Sequence, residues 1–445
     1  MWVKCSAMIN FMELKNLSPA ERANLLKRTE SDLTPFLQKV KPILEAVRLE
    51  GDAALARFAQ QFDNASVEPD AIAATQQDFN RAHEELQHDV RDAISYAASN
   101  IRKFHQLQKP ESSWSTEIRP GLQAGDRTTP IASVACYIPR GKGAFPSSVM
   151  MTCIPASVAG VEDICIITPP GPDGKIDAAS LVAARAAGVS KVYKAGGAQA
   201  IAAVAYGTQT ISKYVKVVGP GSPWVVAAKR QLADLIDTGT PAGPSEAIIF
   251  ADATTDGRLA ALDLLIEAEH GDDSSAFLVT TSKDVADAAL KAIPQYWHRM
   301  GATRVGYTKS VLGSPRGGIL LAQDVSEAMA FINDYAPEHL QILAKDPRKY
   351  LDLVKNAGEI LLGEHTPSTL GIFVLGPSHV LPTGGWAKTF SALSVHDFMK
   401  RTSVVEVTPA AYDELARHAG VIAKYEGFDA HANAVGELRK KLLGN

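Results

Sequence analysis

Cysteine is scarce in this chain: four among 445 residues, at Cys5, Cys136, Cys153 and Cys165. None belongs to a Cys-x-x-Cys pair, which argues against a disulfide framework and a thiolate zinc site, and all four are expected to be small core residues. No run of ~18 apolar residues occurs, so a helical membrane span is excluded. An excess of one charge is also lacking: 45 Lys and Arg against 49 Asp and Glu leave a net charge of -4, which argues against nucleic acid as the main partner. The first twelve residues hold Lys4, Ser6 and Asn10 where a secretory signal needs an unbroken apolar stretch. The expected location is therefore the cytoplasm. Repeats and low-complexity tracts are absent as well. What remains is a composition 46% hydrophobic and 21% charged, enough to bury a large core across roughly three domain lengths.

The first 110 residues read as mostly helical, with Ser18 an N-cap for a helix over 19–27 and amphipathic stretches at 32–62 and 78–107. From Val134 onward, short β-branched runs alternate with alanine-rich ones, and glycine or proline marks nearly every join. Strands are expected at 164–168, 191–194 and 215–218, separated and followed by helices at 178–187, 198–206 and 223–235. A second series places strands at 247–251, 276–280, 318–321, 340–343 and 359–362, with helices at 259–269, 284–292, 325–334 and 350–356 between them. Taken by themselves, the residues describe an α/β protein with two such domains in succession, closed from Ser394 by a helical appendage.

Four constellations carry chemistry. Gly219-Pro220-Gly221-Ser222 and Ala195-Gly196-Gly197-Ala198-Gln199 place small residues between a strand and a helix N-terminus, where backbone N–H groups can meet a phosphate. Tyr137 to Gly143 adds an aromatic face with Arg140 and Lys142, and the trio suggests a nucleotide pocket. Glu267 and His270 lie one turn apart on a helix, a spacing that can hold one metal ion, with Glu426 and His431 as further candidates near the C-terminus. In Ala336-Pro337-Glu338-His339-Leu340 a proline-initiated turn presents adjacent carboxylate and imidazole, the pair suited to proton transfer and water activation near neutrality. Gly376 to Gly385, with His379 at its centre, reads as a packed loop lining something.

The runs 137–142 with Pro146-Ser147-Ser148, 196–202, 219–221 with Ala228-Lys229-Arg230, 242–246, Glu269-His270, 336–340 and 379–383 resemble, in this order, histidinol dehydrogenases. The resemblance implies zinc and NAD as cofactors and oxidation of an amino alcohol to the acid through an aldehyde, L-histidinol to L-histidine in histidine biosynthesis. It also implies a homodimer with a shared active site and two incomplete Rossmann-like domains with small helical N- and C-terminal segments. On that map, 1–32 is an N-terminal helical segment, 33–136 plus 247–393 the catalytic α/β domain, 137–246 the NAD-binding domain and 394–445 the C-terminal helical tail. Glu338 and His339 match the catalytic pair, the histidine as base for alcohol oxidation and the glutamate helping to activate water. Tyr137 and Gln199 match NAD contacts, and Ser222 stands where the family usually has asparagine. Ser245, His339, His379, Glu426 and His431 match positions that touch substrate or metal, and His270 and His431 match two zinc ligands. Two ligand positions depart: Glu267 replaces a glutamine, and Ile372 falls where an aspartate is usual. Glu267 can still ligate zinc, whereas Ile372 cannot. A homologue oxidising a different small alcohol with an altered metal site is the alternative, and Arg140, where the family favours glycine, adds a cation beside the nucleotide site.

Overall fold

The computed structural model describes residues 9–28, 33–140 and 143–443, so Cys5, Gly141 and Lys142 lie outside the described residues. In chain order the strands are β1 (Phe11–Glu13), β2 (Ser113–Arg119), β3 (Leu122–Pro130), β4 (Ser133–Tyr137), β5 (Asp163–Thr168), β6 (Lys191–Lys194), β7 (Val217–Val218), β8 (Glu246–Ala251), β9 (Ser275–Thr280), β10 (Gly317–Leu321), β11 (His339–Leu343), β12 (Glu359–Leu362) and β13 (Met399–Val407). The chain divides into two units. One takes its described residues from Met1–Lys109 and Ile131–Phe398, the other from Pro110–Pro130 and Met399–Asn445.

The first unit contains two parallel sheets, ordered β6-β5-β4-β7 and β1-β10-β9-β8-β11-β12. Their strands are near-continuous apolar runs because parallel strands covered by helices are buried on both faces: β4, β8, β9 and β11 are buried at every residue. Cys136, Cys153 and Cys165 are buried here as expected. β1 pairs with β10, so the six-stranded sheet draws strands from both sides of the four-stranded one. Two α/β halves in simple succession do not describe that order. The predicted elements are otherwise close to place: Ser18 and Glu21 form a full capping box on Pro19–Leu25, and the helix Ala178–Ala187 has the predicted limits. The stretch expected to be helical at 32–62 is broken at Gly51, whose φ of 58° only glycine adopts easily, the stretch at 78–107 is two helices, Gln76–Glu85 and His88–Gln108, parted by extended backbone at Leu86 and Gln87, and 350–356 is replaced by a 3-10 helix over Pro347–Leu353.

In the four-stranded sheet the chain runs outward from β4 to β6 and then returns to β7 on the other side of β4. That reversal opens a crevice at the carboxyl ends of β4 and β7. In the six-stranded sheet the analogous reversal falls between the paired strands β8 and β11. The helix Gly257–Ala268 connects the parallel neighbours β8 and β9, so it runs against them and its last turn returns to the amino ends of the strands. Asp256 caps its start by accepting from the Arg258 N–H.

The second unit is an antiparallel sheet ordered β13-β3-β2, followed by the helices Pro409–Tyr425, Asp429–Ala434 and Glu437–Leu443. The tail from Ser394, expected to be helical throughout, thus contains a nine-residue strand. β2 alternates Trp114, Thr116 and Ile118 with polar residues, yet it is exposed at every residue and β13 at all but its first, so neither strand has a buried apolar face to mark it.

One buried pair sets the helix against the sheet: Gln341 Nε2 donates to Asp263 Oδ2 at 2.7 Å. Burial pushes the Asp263 carboxyl up to about 6, and the Gln341 hydrogen bond works against that rise. Gln341→Leu is expected to cost about 2 kcal/mol at pH 7 by leaving a buried carboxylate without its donor. An acid whose pKa rises on folding favours the fold below its unfolded value near 4, and that contribution is lost as pH rises through about 6. Urea denaturation should therefore show the deficit growing as pH rises from 4 to 7.

Candidate active site

Three neighbouring parallel strands deliver charge to one edge. β8 starts at Glu246, β11 at His339 and β12 at Glu359, and His339 stands in register with both Ala247 and Glu359. The cluster therefore sits at the amino ends of the strands. Glu338 is presented by the turn after the helix Val325–Tyr335, which closes on Ala336 in the left-handed region (φ 53°), an unusual conformation for a residue with a Cβ. From above the sheet, the returning end of Gly257–Ala268 supplies Glu267, and His270 follows one turn later.

His339 is the centre of this arrangement. Its Nδ1 lies 3.0 Å from Glu359 Oε2, and its Nε2 is 3.9 Å from Glu338 Oε1 and 4.0 Å from Glu267 Oε1. Burial alone would lower the imidazole's pKa, but Glu267, Glu338 and Glu359 outweigh it and raise it to about 10. Burial also pushes Glu338 well up, against the pull of His339. Glu338 Oε2 accepts the backbone N–H of Glu246 at 2.9 Å, which leaves Oε1 turned toward His339. Glu246 in turn is held by Arg28 Nε at 2.8 Å and by the Gly384 N–H at 2.9 Å, and the Arg28 guanidinium lies over the Tyr335 ring. Neither Arg28 nor Glu359 was singled out by sequence. Arg28 lies over 200 residues from its partner, and the only local mark of Glu359 is a charge opening an apolar strand.

Glu267 and His270 adjoin, with Oε2 to Nδ1 at 3.2 Å. The Glu267 carboxylate is 1% exposed, yet neither oxygen accepts a hydrogen bond. His270 Nδ1 also lies 3.0 Å from the Ile266 carbonyl; donating its proton there leaves Nε2 with a free lone pair. Ile372 is buried in the helix Ser368–Phe373 and offers only its carbonyl, which accepts from His379 Nδ1 at 2.7 Å. His379 Nε2 then accepts from Ser148 Oγ at 3.2 Å. Burial drives the His379 pKa down to about 4, so the ring is neutral near pH 7. Ser245 is half-buried just before β8, and its carbonyl accepts the Ser275 N–H.

The other predicted residues divide between two places. Tyr137 ends β4, and its hydroxyl accepts the Gly197 N–H at 3.2 Å. Burial raises that phenol to about 12, which keeps it neutral. Gly219 follows β7 with φ 112°, and a Cβ there would lie 2.1 Å from the Tyr137 carbonyl, so only glycine fits. Buried Lys229 donates to the Gly219 carbonyl at 2.7 Å. Gln199 is buried in the helix Gly197–Tyr206, whereas Ser222 is exposed at the start of Pro223–Gln231 and its side chain caps nothing. Arg140 donates to the Lys175 carbonyl. Tyr137, Gly197 and Gly219 thus meet at the crevice where the strand order reverses. Glu426 and His431 belong to the second unit, Glu426 closing Pro409–Tyr425 and His431 packing its ring 5.1 Å from that of Phe428. Among the described residues, no group of three or more His, Cys, Asp or Glu is placed to hold a metal ion.

The histidinol dehydrogenase family model matches residues 26–439. This chain belongs to the histidinol dehydrogenase family. The family is one of oxidoreductases, and this member is similar to proteins of two labels. A "histidinol dehydrogenase homolog 2" of Mesorhizobium japonicum is 58% identical, covering 98% of this chain and 99% of its own. A histidinol dehydrogenase of Synechocystis is 45% identical over 98% of this chain and all of its own. The crystal structure of histidinol dehydrogenase from Elizabethkingia anophelis superposes with a TM-score of 0.92 at 32% identity, covering 98% and 99% of the two chains. The α/β fold of this family member is therefore the histidinol dehydrogenase fold. No described helix is long and apolar enough to cross a membrane.

Proposed function

We propose that this family member carries out zinc-dependent, NAD-linked oxidation of an amino alcohol to the acid through an aldehyde, with L-histidinol to L-histidine as the leading reaction. The observation that carries the reading is His339, a buried imidazole whose Nε2 faces two carboxylates at the edge of the site. The proposal keeps 137–246 as the nucleotide domain, 33–136 plus 247–393 as the catalytic one, and 1–32 and 394–445 as terminal segments.

The residues fit both cofactors. A buried carboxylate without hydrogen-bond donors beside an imidazole with a free Nε2 suits zinc, and Glu267, His270 and His431 would hold it. The crevice at the carboxyl ends of β4 and β7, where Gly219 packs directly on the Tyr137 backbone, suits a dinucleotide contacted by Tyr137, Gln199 and Ser222. When bound, zinc would lower the pKa of the alcohol oxygen and NAD would supply the hydride acceptor. His339 accepts the alcohol proton at Nε2 and returns it to solvent between the two oxidations. For that it must start neutral, and a cation held by Glu267 would weaken the first of the carboxylate effects that raise the imidazole pKa. Glu338, held by the Glu246 N–H, directs Oε1 to the water that attacks the aldehyde. Ser245, His379, Glu426 and His431 complete the substrate contacts, with neutral His379 fixed by Ile372 and Ser148.

A different small alcohol is favoured by two observations: a buried isoleucine stands where the resemblance expects an aspartate ligand, and relatives at 55–58% identity carry the word homolog in their names. NADH production against a panel of amino alcohols separates the two substrates. Glu426 and His431 enter the reading through a homodimer with a shared site. The second unit supports it by exposing Val404, Val405, Val421, Ile422, Tyr425 and Phe428, apolar surface that a second copy would cover.

His339→Asn is expected to keep NAD binding, read by calorimetry, while turnover falls about 10²- to 10⁴-fold. Full turnover in that variant would eliminate the base assignment. Glu267→Gln should weaken zinc binding in a competition with a chelator, because Ile372 leaves no other anion in the proposed ligand set; unchanged affinity would count against Glu267 as ligand. Inactive Glu338→Gln and His431→Asn variants, mixed and reassembled, should recover part of the activity, and heterodimers without recovery would refute sharing.

A further inference from the structure

We propose that Glu359 is the positioning residue for His339: its largely covered carboxylate accepts the Nδ1–H hydrogen bond and thereby turns the Nε2 lone pair toward the pocket shared by Glu267 and Glu338. The inference rests on the reading of His339 as base. The pairing is built at three levels. β11 and β12 run parallel with His339 in register with Glu359, so both side chains leave the same face of the sheet. The Glu359 N–H donates to the Glu338 carbonyl and the Gly358 N–H to the Pro337 carbonyl, both at 2.9 Å, which ties the start of β12 to the catalytic turn. The side chains then close the contact, Nδ1 to Oε2 at 3.0 Å, with 4% and 9% of each exposed.

The surroundings admit the carboxylate and little else. Gly371 lies against it, and a Cβ there would stand 3.1 Å from both Glu359 oxygens. Position 371 adjoins Ile372, so the acid missing from that helix has a neighbour in space, one strand away, that addresses the imidazole. An acceptor-only carboxylate on Nδ1 allows a neutral imidazole one tautomer, the one with Nε2 unprotonated and able to accept a proton. An amide at the same place could also donate and would permit the wrong tautomer.

The test is the ¹⁵N spectrum of His339 in histidine-labelled protein, assigned by its loss in His339→Asn, together with kinetics on whichever amino alcohol of the panel is oxidised. Parent protein should show a neutral or substrate-bound His339 protonated at Nδ1, and Glu359→Gln should shift population to the Nε2-protonated form. In Glu359→Gln, kcat should fall about 10²-fold or more with KM for NAD and zinc content unchanged, as expected when a base loses its orienting carboxylate. Glu359→Asp should restore the parent tautomer and part of kcat. An unchanged tautomer with parent kcat in Glu359→Gln overturns the proposal, and so does loss of zinc, which would make Glu359 a ligand. If His339→Asn turns over normally, the general-base reading fails, while the spectrum still decides whether Glu359 sets the tautomer.

Discussion

Everything in the site depends on one electrostatic constraint: a single buried imidazole is packed among Glu267, Glu338 and Glu359. Burial and the nearby Glu267 raise the cost of ionising Glu338, and the imidazole is the counter-charge that works against that rise. The elevated pKa of His339 and that of Glu338 are two faces of the same arrangement. Such a cluster has an excess of negative charge and a carboxylate, Glu267, that nothing donates to. A divalent cation would compensate it, and on the proposed reading that compensation links a proton-accepting role of His339 to a ligand role of Glu267.

The scaffold makes this arrangement affordable by rigidity. Parallel strands in register bring Glu246, His339 and Glu359 to one edge, and the helix running back over the sheet brings Asp263 and Glu267 down onto Gln341 and His339 respectively. Two successive helix turns thus face two alternate residues of β11, one pair structural and the other chemical. Arg28 supports the opposite side through Glu246, whose own backbone N–H holds Glu338. The glycine-lined crevice beside Tyr137 obeys the usual rule for open α/β sheets by lying at carboxyl strand ends, whereas the cluster around His339 lies at amino ends, where the returning helix terminates.

Much of the α/β framework was legible because its signals are local. Apolar runs such as Ala-Ile-Ile-Phe, the glycine and proline punctuation, and the capping box at Ser18 each depend on residues a few positions apart. The same holds for Pro337-Glu338-His339, where a turn and a strand start are written in adjacent residues. The antiparallel sheet of the second unit was not read, since β2 and β13 bury no apolar face: Trp114 and Ile118 alternate along β2, but both are exposed.

By itself, then, the sequence determined the α/β class, most element positions, the glycine crevice and the Glu338-His339 pair, through periodicity and chemistry confined to short windows. Only the tertiary structure decided that β1 joins β10, that Glu359 meets His339, that Glu267 is buried without a donor and that Arg28 reaches Glu246. Strand order and register are set by the packing of distant segments around a shared core, and no local window contains that information.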